Sequence, residues 1–134
     1  VKDLDFGNNS MLIRSGKGNR DRYAVLPGAT RKALRAQLAS ARAQHDRDVK
    51  DGAGWVELPN AICRKYPNAG QSWAWQWVFP AFRHYTDRKT GHRRRHHYHE
   101  SAMQRAFKEA VTRSRIPKAA SCHTLRHRFA THLL

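Results

Sequence analysis

The spacing of apolar residues changes along this chain, and that change most limits what it can fold into. Val1 to Phe6 alternates apolar and polar, with Val1 and Leu4 to Phe6 as candidate core residues. "MLIR" and "RYAVLP" are further short strand-like runs on either side of "SGKGNRD". Gly, Asn and Asp in that connector supply turn geometry, so the segment is expected to be a β-hairpin with Lys17 at its tip between two glycines. From Thr30 to about Val49 the spacing becomes helical, with Leu34, Leu38 and Ala41 at i, i+4 and i+7. Most of the remaining residues there are good helix formers, Thr30 is a candidate cap, and Gly52 lies beyond the end. A second helix is expected over about Ser101–Arg115, where Met103, Ala106, Phe107, Ala110 and Val111 share one face and Pro117 follows. A last helix opens after Ser121, with Leu125, Phe129 and Leu133 on one face. The fold class is therefore α+β, mainly α, with a small N-terminal antiparallel sheet and hairpin.

Between Gly54 and Arg95 no period is sustained, which marks an insertion or a functional loop. Trp73, Trp75 and Trp77 alternate within "SWAWQWVFPAF", so an extended strand would turn all three the same way. They would then form part of the core, or a platform on which unpaired bases stack. "DRKTGHRR" is expected to turn at Gly91.

The 134 residues fit one domain or a large piece of one. With 26 Lys and Arg against 10 Asp and Glu, the net charge is +16, and nine histidines add to it as the pH falls. Charge of that size needs a counter-charge, and nucleic acid is the obvious one. A membrane is not the expected partner, because no apolar run approaches spanning length and neither end carries an amphipathic anchor. Cys63 and Cys122 make no disulfide framework, which points to a reducing cytoplasm. His92 and His96 have a zinc-like spacing but no Cys pair to complete a ligand set, and the ten acids are too scattered for a metal-dependent nuclease. The chain begins without Met, already in strand-like alternation, and closes in an unfinished helical pattern. It reads as a fragment truncated at both ends.

"SCHTLRHRFATHLL" places His123 and Arg126 on one side of a helix start, where unpaired backbone N–H groups favour an anion. Arg can grip a phosphate with two hydrogen bonds, and His can move a proton near neutral pH. Alone, H-x-x-R is a weak signal that better describes a solvated basic helix face. "HTLRHRFATHLL" resembles the H-x-L-R-H motif of the tyrosine recombinases, or phage-type integrases. "VKDLDF" followed by "GKGNRDR" resembles that family's β-hairpin with its catalytic lysine. "KYPNAGQSWAWQWVFP" and "RRHHYHE" resemble the extra segment of integron integrases, at about residues 54–97.

The resemblance implies a partial catalytic domain over residues 1–134. It implies DNA strand cleavage and rejoining through a 3′-phosphotyrosine, with neither metal nor cofactor. Lys17 would protonate the leaving 5′ oxygen, Arg126 would hold the nonbridging phosphate oxygens, and His123 would assist proton transfer. The partners implied are folded single-stranded and double-stranded recombination sites, handled by a tetramer. Trp75, His96 and His97 would contact extruded bases, and Arg14, Arg20 and Arg22 would touch the phosphate backbone. Tyr23, Tyr66, Tyr85 and Tyr98 all precede His123, so none has the nucleophile's position and the fragment itself would be inactive. A non-catalytic DNA- or RNA-binding module fits the composition equally well. Another phage-type recombinase with an unrelated insertion fits the motifs.

Overall fold

The structure, a computed structural model, describes residues 1–16 and 18–132. Lys17 and Leu133, both singled out by the sequence, lie outside the described residues. The chain divides into two compact units, residues 1–97 and 98–134.

The first unit opens with a three-stranded antiparallel sheet in the order β1 (Leu4–Asp5), β2 (Ser10–Ile13) and β3 (Arg22–Val25). Met11 pairs with both Leu4 and Ala24, which fixes the register. The first strand is only two residues long. Asp5 ends it by accepting from the backbone N–H groups of Gly7 at 2.8 Å and Asn8 at 2.9 Å. The expected hairpin is present as β2–β3, and its connector is held from both sides. The Gly16 N–H donates to the Arg20 carbonyl at 3.0 Å, and the Ser15 N–H donates to Asp21 at 2.9 Å.

A single helical turn, Gly28–Thr30, leads into α1 (Arg31–Lys50). Thr30 does not cap the helix as expected. Its hydroxyl donates back to the Pro27 carbonyl at 2.8 Å and closes that turn instead. The inward stripe of α1 runs through Leu34, Leu38 and Ala41 and continues, at the same spacing, into His45 and Asp48. Those two polar residues are as buried as Ala41. Burial pushes the His45 pKa down, so the ring is favoured in its neutral form at that depth.

The stretch read as irregular contains defined structure. It holds a short helix, α2 (Asn60–Lys65), two single helical turns, and a two-stranded antiparallel sheet of β4 (Pro80–Thr86) and β5 (Arg93–His97). The expected turn lies between these strands. Asp87 anchors it by accepting from the Lys89 N–H at 3.0 Å and the Thr90 hydroxyl at 2.8 Å, and Gly91 takes the left-handed conformation at φ +70°.

The extended tryptophan strand is not formed. Trp73–Trp75 curl into a helical turn, with the Gln76 N–H donating to the Trp73 carbonyl at 3.0 Å. A strand needs a partner for its backbone. Here the backbone is satisfied locally, and the buried Gln76 amide ties the turn down by donating to the carbonyls of Gly54 at 3.1 Å and Gly70 at 3.0 Å. Buried apolar residues are few: Leu26, Ala41, Ala53, Val56 and Leu58 among the described residues.

A buried polar cluster joins α1 to the β4–β5 sheet. Arg95, 7% exposed, makes a two-pronged bridge to Asp48, 6% exposed, with Nε–Oδ2 and Nη2–Oδ1 both 2.8 Å. Its Nη1 donates to the carbonyls of Ala81 at 2.7 Å and Phe82 at 2.6 Å, and its Nη2 contacts His84 Nε2 at 2.7 Å. The same His84 nitrogen lies 3.0 Å from Asp48 Oδ1, so the three side chains form one cluster. Burial alone would raise the Asp48 pKa, but the Arg95 guanidinium and His84 outweigh it and hold the carboxyl below the usual range.

The second unit contains α3 (Glu100–Arg113) and α4 (Cys122–His132). His99 caps α3, its ring nitrogen accepting from the Ser101 N–H at 3.2 Å. Met103 on α3, with Leu125 and Phe129 on α4, are all exposed. The fold is thus a mixture of helices and small antiparallel sheets, and the second sheet is an addition to the expected one.

Candidate nucleic-acid interface

Sequence places three groups of residues in a functional role, and the structure gives each a different setting. The first group is on the β2–β3 hairpin. Arg14 is not a free phosphate ligand. Its guanidinium donates to Asp3 at 2.8 and 3.1 Å and lies 3.6 Å from Asp21, stapling the hairpin to the residues before β1. The same contact holds the Asp3 carboxyl below its ordinary pKa. Arg20 and Arg22 are exposed and form no ion pair among the described residues. They therefore keep their charge for an outside anion.

The second group surrounds an open groove of about 490 Å³ lined by Glu57, Leu58, Pro59, Asn60, Trp77, His96 and His97. Trp77 is fixed in it, because its indole N–H donates to the Arg95 carbonyl at 3.2 Å. The His97 ring stands edge-on to Trp77 with centroids 5.2 Å apart. His96, the next residue on the strand, stacks on Tyr85 at 4.4 Å with the rings within 12° of parallel. One face of His96 is therefore already covered. Trp75 is not among the groove's lining residues. Lys2 Nζ sits 4.3 Å from its ring centroid, a cation–π contact that occupies one ring face. Trp73 packs on α1, with Arg42 5.3 Å and His45 5.9 Å from its ring. Among the neighbouring tryptophans the structure thus gathers Trp77 with the two histidines. The sequence did not single out Trp77, because position within "WAWQW" cannot tell which indole meets β5.

The third group is at the start of α4. Ser121 Oγ accepts from the Thr124 N–H at 3.3 Å, and Thr124 Oγ1 accepts from the Ser121 N–H at 3.1 Å. This reciprocal pair is a capping box with Thr in the usual Glu or Gln place, and it defines the first turn. Ser121 thus caps α4. His123 and Arg126 follow, both exposed. His123 Nε2 lies 2.8 Å from His127 Nε2, within hydrogen-bond distance, and the rings meet edge-on. Lys17 lies outside the described residues.

The comparisons with known proteins agree with these motifs. The sequence matches the phage integrase family over residues 1–134, and the chain belongs to that family. It is 50% identical over all 134 residues to proteins named integrase/recombinase from Escherichia coli and Pseudomonas aeruginosa. It is 31% identical over 125 residues, 92% of the chain, to tyrosine recombinase XerD of Bradyrhizobium diazoefficiens. The chain spans 40% of the length of the first two relatives and 30% of the third. Among the described residues no helix is long and apolar enough to cross a membrane.

Proposed function

We propose that this chain is part of the catalytic domain of an integron integrase, an enzyme that moves gene cassettes by cutting and rejoining DNA. About residues 54–97 would be the segment added in that group. The reading rests on family membership together with the "KYPNAGQSWAWQWVFP" and "RRHHYHE" stretches. A tyrosine hydroxyl from beyond His123 would attack the scissile phosphorus, its proton passing to the His123 side. The bond to the 5′ oxygen would break, leaving a 3′-phosphotyrosine, and Lys17 would give its proton to the departing oxygen. Arg126 would hold the nonbridging oxygens, with His123 beside it for proton transfer. The observation that supports this is that His123 and Arg126 are both exposed, three residues apart, on a helix start fixed by the Ser121–Thr124 box.

Base contacts would fall to His96 and His97 in the Trp77 groove, with Trp75 as a further stacking ring. Arg20 and Arg22 would meet phosphates. Arg14 would act at one remove by holding the hairpin. Folded single strands and duplex sites would be the substrates, held by a tetramer in the cytoplasm. The relationship to XerD keeps a second reading in view, a recombinase acting on duplex sites alone.

The test is covalent trapping by the full-length protein on a suicide substrate. Arg126→Ala should lower adduct formation by about 10²–10³-fold or more, because it removes a group aimed at charge that develops in the transition state. DNA binding should fall by much less, since Arg126 is one phosphate contact among many. Adduct formation by the variant at the parent rate sinks the assignment.

A further inference from the structure

We propose that Phe82 is a base-stacking side chain, presented to an unpaired DNA base by a bulge that the buried Arg95 holds open. Phe82 is 90% exposed although it lies within β4. A single exposed apolar residue needs no explanation by itself. What distinguishes Phe82 is how its backbone is built. From Pro80 to His84 strand β4 takes four steps while β5 takes two, from His97 to Arg95. Ala81, Phe82 and Arg83 are thus left opposite His96 alone, and the strand bulges. A bulge deprives carbonyls of their ladder partners. Here Arg95 Nη1 supplies both missing donors, at 2.7 Å to Ala81 and 2.6 Å to Phe82. Arg95 is itself clamped by Asp48. A buried ion pair between α1 and β5 therefore fixes the backbone that projects a phenyl ring into solvent.

Charge identifies the occupant. Residues 80–97 carry Arg83, Arg88, Lys89, Arg93, Arg94 and Arg95 against one acid, Asp87. Arg94 is paired with Asp87 and Arg95 with Asp48, while Arg83, Arg88, Lys89 and Arg93 are exposed. A second copy of the chain would bring the same cations face to face, whereas a nucleic acid strand complements them. Bases inside a duplex already stack on each other, so the ring face that phenyl needs is offered by a base that is unpaired. The ligand is therefore an extrahelical or single-stranded base flanked by phosphates. The inference depends on the recombination reading only for DNA as the ligand, and strand cleavage plays no part in it.

The experiment compares binding of the full-length protein and its Phe82→Ala and Phe82→Trp variants to two DNAs of equal length. One is a folded strand with unpaired bases and the other a fully paired duplex. Phe82→Ala should weaken binding to the folded strand by about 5- to 150-fold, the loss of one stacked base, and leave the duplex within about twofold. Phe82→Trp should retain folded-strand binding. Because the ring is 90% exposed, its removal leaves the melting temperature unchanged, which separates stacking from misfolding. Equal losses on both DNAs, or no loss on either, overturn the proposal. So does a changed oligomeric state with unchanged DNA affinity, which would make Phe82 a protein contact. A covalent adduct assay on the unsubstituted protein reports on the recombinase reading separately.

Discussion

Asp48→Asn is the most informative single substitution, because it removes one charge from the Arg95 cluster and preserves the side chain's shape. In the native arrangement two 2.8 Å bonds join the carboxylate to a guanidinium that is 7% exposed. An asparagine can accept one of those bonds, but its NH₂ faces a donor. Arg95 is then left buried with its charge unmatched, which costs about 3–5 kcal/mol. Coulomb attraction at about 4 Å and an effective dielectric near 20 gives roughly 4 kcal/mol, in agreement. Against a typical total stability of about 5–15 kcal/mol that is a large loss. In urea, with a slope near 1.5 kcal/mol/M, the midpoint should fall by about 2–3 M. A double variant, Asp48→Leu with Arg95→Met, removes both charges and should recover part of the loss. Recovery stays incomplete because the carbonyls of Ala81 and Phe82 lose their donor. The pH profile provides a second measurement. The native carboxyl sits below its ordinary value, so the stabilisation is present above the unfolded pKa of about 3.9 and is lost as the pH falls through the lower native value. The parent should therefore lose stability on acidification in a way that Asp48→Asn does not. A urea midpoint for Asp48→Asn at neutral pH within about 0.7 M of the parent, which is about 1 kcal/mol at that slope, refutes the reasoning, since the pair would then contribute no more than a surface ion pair.

Two further outcomes are expected. Trp75→Ala in the full-length protein should weaken binding to a folded strand with extrahelical bases by roughly 1–3 kcal/mol per base released, with little change on an unbulged duplex; equal losses at an unchanged melting temperature would remove Trp75 from base recognition. Ser121→Ala should cost about 0.5–2 kcal/mol at the start of α4, seen as faster hydrogen exchange at the Thr124 amide, and an unchanged exchange rate there would show that the cap contributes nothing.

Helices were legible where one face carries apolar residues at steady spacing, as in α1, α3 and α4. The β2–β3 hairpin was legible from its turn residues. Sequence fails where long-range side-chain bonds decide the backbone. Nothing in "SWAWQW" announces that Gln76 reaches the carbonyls of Gly54 and Gly70 and so curls the segment that alternation would extend. The β4–β5 sheet was missed for a related reason. Its inner residues include Arg95 and His84, which break the apolar alternation that marks a strand, and they are stable there only because Asp48 meets them from a distant helix. The candidate site divides the same way. His123 and Arg126 were visible because their helix start is local, whereas the grouping of Trp77 with His96 and His97 depends on tertiary placement.

The arginines show most clearly why composition gives a partner and not a site. A net charge of +16 directs attention to a polyanion, but it treats every cation alike. Arg95 is buried and bonds only inward. Arg14 is tied to two aspartates, Arg94 is paired with Asp87, and Arg31 donates to the Phe6 carbonyl at 2.8 Å. These residues shape the surface rather than meeting a ligand, and removing one should lower stability while the salt dependence of binding changes little. Arg20, Arg22 and Arg83 are exposed and carry no ion pair among the described residues, so their removal should lower the salt slope while stability holds. Arg126 belongs to neither class. In the proposed reaction it acts on the barrier, so its loss should appear chiefly in cleavage, with stability nearly unchanged and the salt slope lowered no more than by the loss of any other single phosphate contact.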